Sequence, residues 1–135
     1  MKNIVVGSLV TVSEKQKIHQ GYKAINLNIA RFIRQRMPDL AILDGFIGME
    51  GEGPEDGTPV QLHATAASVN PVSLDAVMAK IMGFEPLDIG YLHHLDQWGV
   101  GVARLGEISV IGQPLEEMTP KFKPHSTYRD QLNWK

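Results

Sequence analysis

The sequence contains no cysteine. Disulfides, thiolate-held zinc and cysteine-ligated iron–sulfur clusters are therefore excluded for this polypeptide. Net charge is also scarce: 13 Lys and Arg against 15 Asp and Glu leave a formal −2. No basic face is implied, so neither nucleic acid nor an anionic membrane is an expected partner. No stretch approaches the ~20 apolar residues of a transmembrane helix. Met1 to Gly7 is not followed by the long apolar core and small-residue cleavage site of a secretory leader. A cytoplasmic location is the default expectation. Nucleophile elbows, Walker loops and H-E-x-x-H zinc helices are all missing. Gly99-Val100-Gly101 echoes a phosphate loop but follows a helical pattern, where a helix end and turn explain it.

The 135 residues are 43% hydrophobic and 21% charged, enough for one domain with a packed core. Ile4 to Val12 is rich in β-branched residues and predicts a strand. Ser13 and Gln16 match a capping box, and Ile18, Tyr22, Ile25, Ile29 and Phe32 follow at helical spacing. Gly21 weakens the first turns, so the helix could begin near Tyr22; Pro38 ends it. Leu40 to Leu43 is a continuous apolar run of the kind that forms a buried parallel strand. Gln61 to Val69 predicts a second sheet strand with small residues on one face. Asn70-Pro71 then opens a helix striped by Val72, Leu74, Val77, Met78 and Ile81, with Gly83 at its end. A further helix is expected from Pro86 to Trp98, and a last strand from Glu107 to Ile111. This order predicts an α/β fold, a small mixed and partly parallel sheet covered by helices. Residues 1–112 form the expected domain, and 113–135 a tail lying on it or reaching a partner.

Between Asp44 and Pro59 lie five glycines and two prolines, which predict a loop. Asp44 would sit at the carboxyl end of its strand, where open α/β sheets bind ligands. The segment carries Asp44, Glu50, Glu52, Glu55 and Asp56 and no Lys or Arg. A bare phosphate would be repelled there, and a hard divalent cation such as Mg²⁺ or Ca²⁺ suits the oxygen-rich chemistry better. Asp44, Glu50 and Asp75 are the candidate metal ligands. Asp44, Gly45, Gly51, Gly53, Ser68 and Asn70 are the candidate ligand-binding positions. His19 is the candidate acid–base group. The plainer readings are a solvated acidic turn, an Asp75 that complements the dipole of its helix, and a structural histidine.

Several of these segments carry a resemblance. Lys17-Ile18-His19, Leu43-Asp44-Gly45, Gly48-Met49-Glu50-Gly51 with Gly53-Pro54 and Gly57, Ala67-Ser68, Leu74-Asp75 and Met82-Gly83-Phe84 resemble domain of unknown function 362. The resemblance is to the second half of that family. It implies a missing N-terminal half and a kinship with proteins sometimes fused to iron–sulfur ferredoxin domains. It puts His19, Asp44, Glu50, Gly51, Gly53, Pro54, Gly57, Ser68 and Asp75 in matching positions but implies no assigned activity. Three functions stay open from sequence: a domain binding a divalent cation or small ligand, an enzyme acting on a small anionic compound through a cation, and an interaction or assembly module. The last would pair with itself, with a redox protein or with the missing half, using exposed Phe46 and Met49 or the tail aromatics Phe122, Tyr128 and Trp134.

Overall fold

A computed structural model describes residues 1–9, 11–118 and 121–135. Helices α1 (Lys2–Gly7), α2 (Val12–Ile18) and α3 (Tyr22–Gln35) come first. Strands β1 (Ala41–Glu52) and β2 (Asp56–Ser68) follow, then α4 (Pro71–Ile81), α5 (Gly90–Gln97) and α6 (Tyr128–Gln131). Single 3-10 turns occupy Pro86–Asp88, Leu105–Glu107, Leu115–Glu117 and Leu132–Trp134.

Helix α4 is the element on which the rest converges. Asn70 caps it, its Oδ1 accepting the N–H groups of Val72 at 3.1 Å and Ser73 at 3.2 Å. Pro71 fills the first turn, where a missing N–H costs nothing. Gly83 takes φ +89°, and the N–H groups of Gly83 and Phe84 close back on the carbonyls of Lys80 and Ala79. That pairing satisfies the last carbonyls of the helix, and its left-handed residue favours glycine. Nine of the eleven α4 residues are buried. Val72 and Ala76 face a cluster with Val5, Ile29, Ala30, Ile33, Leu92, Leu95 and Ala103. Leu74, Val77, Met78 and Ile81 face a second cluster, shared with Leu43, Leu62 and Ala66 of the strands.

The sheet corrects the expected topology. It has two strands, antiparallel, with Ala41 opposite Ser68, Asp44 opposite Thr65 and Glu52 opposite Asp56. The reason is the short connection between Glu52 and Asp56: parallel neighbours need a crossover of roughly a dozen residues or more. The expected loop is therefore a long hairpin, with an irregularity between Gly45 and Ile47. Two of its glycines make room for neighbours. A Cβ on Gly48 would sit 2.7 Å from the Phe122 ring, and one on Gly57 would meet the Met49 side chain.

The N-terminal segment is helical where a strand was expected, with Val10 outside the described residues. Val5 drops into the helical cluster, and that packing overrides the β-propensity of its neighbours. The capping box sits on Thr11 and Glu14, ahead of the expected Ser13 and Gln16. Glu14 N–H donates to Thr11 Oγ1 at 3.3 Å, and Thr11 N–H to Glu14 Oε2 at 2.9 Å. A carboxylate makes the stronger return bond than an amide does. Helix α3 starts at Tyr22, after Gly21 at φ +89°. The helix expected from Pro86 is split at extended Ile89 into a 3-10 turn and α5, whose first turn is held by Asn26 Oδ1 accepting the Tyr91 N–H at 2.9 Å, while Gly90 lies against Asn26 and Trp134 with no space for a Cβ. The strand expected at Glu107–Ile111 is replaced by a 3-10 turn and an unpaired segment. Beyond it, Phe122 and Trp134 are buried, and Trp134 Nε1–H donates to the Asp88 carbonyl at 2.6 Å.

Loss of the α4 cap should be measurable. Asn70→Ala is expected to lower unfolding free energy by about 1 kcal/mol. Leu92→Ala, in the fully buried cluster, should cost about 2–5 kcal/mol. Urea titration of both variants checks the order.

Candidate functional site

The hairpin has two dissimilar faces. Leu43, Gly45, Leu62, Ala64 and Ala66 turn toward α4. Ile42, Asp44, Phe46, Ile47 and Met49 of β1, with Gln61, His63, Thr65 and Ala67 of β2, are exposed. Phe46 and His63 pack edge to face at 4.6 Å between ring centres.

Each candidate ligand already has a partner within the chain. Asp44 Oδ1 accepts the Phe46 N–H at 3.0 Å, closing a local turn at the strand irregularity. Glu50 Oε2 accepts the Lys123 N–H at 2.7 Å, while Gly51 N–H donates to the Lys123 carbonyl at 2.9 Å. Glu52 accepts from Ser126 twice, N–H at 2.8 Å and O–H at 2.9 Å, and its Oε2 lies 3.3 Å from His125 Nε2. The hairpin tip is thus gripped by residues 121–126. The Ser126 N–H, then its hydroxyl, hold the Glu52 carboxyl below its usual range, with the charges of His125 and Lys123 adding to them.

The remaining candidates lie elsewhere. Asp75, on α4, accepts the Met1 ammonium at 2.7 Å and the Tyr91 hydroxyl at 2.9 Å. Burial, and secondarily the Asp75 charge, push the Tyr91 phenol well above its usual range. His19 is exposed at the end of α2, its Nδ1 2.7 Å from the Lys15 carbonyl. Ser68 Oγ accepts the Asn70 N–H at 2.9 Å, and Asn70 caps α4, so these two residues order the strand-to-helix turn. Gly51, at φ +74°, shapes the strand beside the tail, and Gly53 lies beside the Met49 sulfur. The three proposed metal ligands do not meet. Six residue steps along the strand separate Asp44 from Glu50, about 20 Å at ~3.3 Å each. No group of three or more acidic or histidine side chains suited to a metal forms among the described residues. His93 and His94 instead join Trp98 and Trp134 in an aromatic cluster, where burial and then the charges of His93 and Lys23 lower the His94 pKa.

Two open cavities share the Ile108 and Leu115 region, and the first of them borders the hairpin. One of about 460 Å³ lies between β2, α4 and residues 108–111. The other, of about 940 Å³, lies between Lys80–Glu85 and Leu105–Met118.

The family described as Domain of unknown function (DUF362) matches residues 1–80. The chain belongs to this family. The matched stretch includes the hairpin and almost all of α4, so the carboxylates of the tip are inside it, whereas Lys123 and Ser126 are not. The chain is also 30% identical over 86 residues to a thylakoid-associated protein of Synechocystis sp., covering 64% of this chain and 27% of that relative. It therefore spans about a quarter of the relative's length. No solved structure matches it. No helix among the described residues is long and apolar enough to cross a membrane.

Sequence reasoning missed the tail donors and the extent of the exposed face. The first has no local signal, since Lys123 and Ser126 contribute backbone N–H groups that every residue has. The second did have one. Leu40 to Met49 is apolar at both odd and even positions, the mark of a strand with two covered faces.

Because Ser126 lowers the Glu52 pKa, the contribution of this carboxylate to tail docking is fully present above the ordinary glutamate range and is lost as pH falls through the lower folded-state value. Limited proteolysis of residues 121–127 should accelerate on acidification through that window. Glu52→Gln should bring the acceleration to neutral pH and flatten its acid dependence. Trp134 emission, anchored at Asp88, should stay unchanged in both cases.

Proposed function

We propose that this DUF362 chain is an assembly module that docks through the outer face of its hairpin onto a second copy of itself. The observation carrying this reading is the exposure of large apolar side chains along one strand: Ile42 at 69%, Phe46 at 56%, Ile47 at 56% and Met49 at 51%. Contiguous apolar patches of this kind mark interaction surfaces. Asp44 is the one charged side chain among the exposed β1 residues from Ile42 to Met49. Two copies related by a two-fold axis would therefore bury the patch with little charge desolvation.

The divalent-cation reading has less support, because Glu50 and Glu52 are held by the tail. The relative's thylakoid association is compatible with work in an assembly, and the extra length of that relative leaves room for a complementary segment. Sedimentation over a wide concentration range tests self-docking. The wild type is expected to dimerise, and Phe46→Glu or Ile47→Glu to weaken the dimer by about tenfold or more. A chain that stays monomeric throughout, with sedimentation unaltered by either change, would remove the second copy as occupant.

A further inference from the structure

The cleft of about 460 Å³ beside β2 has a shape that the outer-face reading does not use. One bank is Ala64–Ser68 of β2, whose partner strand β1 lies on the opposite side. The other bank is Ile108–Ile111, a segment of strand-like composition that leaves its 3-10 turn extended, with Ile108 at φ −102° and ψ 121°. The floor is apolar, from Leu74, Val77, Met78 and Ile81 of α4. Among the described residues no backbone hydrogen bond joins β2 to residues 108–111. The outer edge of β2 and the backbone of Ser109–Ile111 thus face each other across an apolar floor, while the Ile108 N–H is taken by the Leu105 carbonyl at 3.1 Å.

We propose that this cleft receives an extended, uncharged polypeptide strand from another chain, which pairs with β2 on one side and with residues 108–111 on the other. In an antiparallel pair, alternate residues of β2 direct their N–H and C=O groups away from β1, toward the cleft. Five residues of β2 offer a bank about 17 Å long at ~3.4 Å per residue. An unpaired edge of this kind is a template for strand addition. The chemistry of the partner follows from the walls. No Asp, Glu, Lys or Arg lines the cleft among the described residues, so a charged side chain entering it would lose its hydration without gaining a counter-ion. Alternate side chains of the strand would rest on Leu74, Val77 and Met78, which asks for small or β-branched apolar residues there. A compact apolar molecule could cover the floor, yet it would leave both rows of backbone groups unpaired, and that is costly. The inference does not depend on self-docking, which uses the outer face of the hairpin and not its β2 edge.

The probe is a capped hexapeptide alternating valine and threonine, added to the full chain and followed by amide hydrogen exchange. Protection is expected to rise by about tenfold or more at the cleft-facing N–H groups within Ala64–Ser68 and at Ser109–Ile111 together. A peptide of the same length with two internal prolines should give none, because it lacks the donors for a ladder. Val110→Pro removes a donor from the exposed far bank and should abolish protection there and weaken it on β2. Its sedimentation should match wild type, which separates this outcome from failure of the assembly reading. No protection with the alternating peptide, equal protection with the proline peptide, or an unaltered response in Val110→Pro would each overturn the proposal.

Discussion

Burial of α4 on two opposite sides is the constraint from which the other elements take their places. A helix sandwiched in this way cannot reserve a polar stripe for water. Its ends must therefore be satisfied by the chain itself, and they are: Asn70 at the start, Gly83 and Phe84 at the finish, and the Ser73 hydroxyl donating to the Val102 carbonyl at 2.9 Å. Asp75 is the one charged side chain on α4 short of its last turn, and it is half-buried. It is tolerated because the Met1 ammonium and the Tyr91 hydroxyl both reach it. A carboxylate with two donors at an inward helix position is a structural necessity before it is a ligand. The same geometry spaces the hairpin from the helical cluster by one helix diameter.

At the hairpin tip a different economy operates. Several carboxylates close together repel one another unless something positive comes near. A cation is one solution. Backbone N–H groups are another, and they need no basic side chain. Glu50 and Glu52 use the second, taking the N–H groups of Lys123 and Ser126. These contacts are exposed and polar, so they position the tail more than they stabilise the fold. Phe122, which places its ring over Gly48, supplies the apolar part of the attachment. That pairing gives Gly48 a reason to be glycine independent of any ligand.

How much could be read beforehand divides along physical lines. Local signals carried well: Asn70-Pro71, the α4 stripe, Gly83 and the α3 start at Tyr22 all depend on neighbours within a few residues. Signals that need a remote partner did not. Val5 and its β-branched neighbours look like a strand until the helical cluster that receives Val5 is known. The Asp44–Pro59 stretch looks like a loop because glycine is a poor strand former in isolation. Two of its strand positions, 48 and 57, take glycine here because Phe122 and Met49 occupy the space a side chain would need. Glu52 and Ser126 are 74 positions apart, and no periodicity relates them. The candidate site was legible as an acidic, glycine-rich segment, but the use to which its charges are put was not.

The hairpin remains the least self-sufficient element. A strand that is apolar on both faces belongs between two layers, yet here α4 supplies only one. The uncovered face exposes Ile42, Phe46, Ile47 and Met49, and the β2 edge faces a cleft with a second unpaired segment across it. Charged or proline-bearing edges are the usual protection against unwanted pairing. Pro59 protects the β2 strand only near the tip, opposite Met49, and residues 64–68 carry neither charge nor proline. The two proposed occupants, a second copy on the face and a strand at the edge, would each supply polypeptide where that protection is missing.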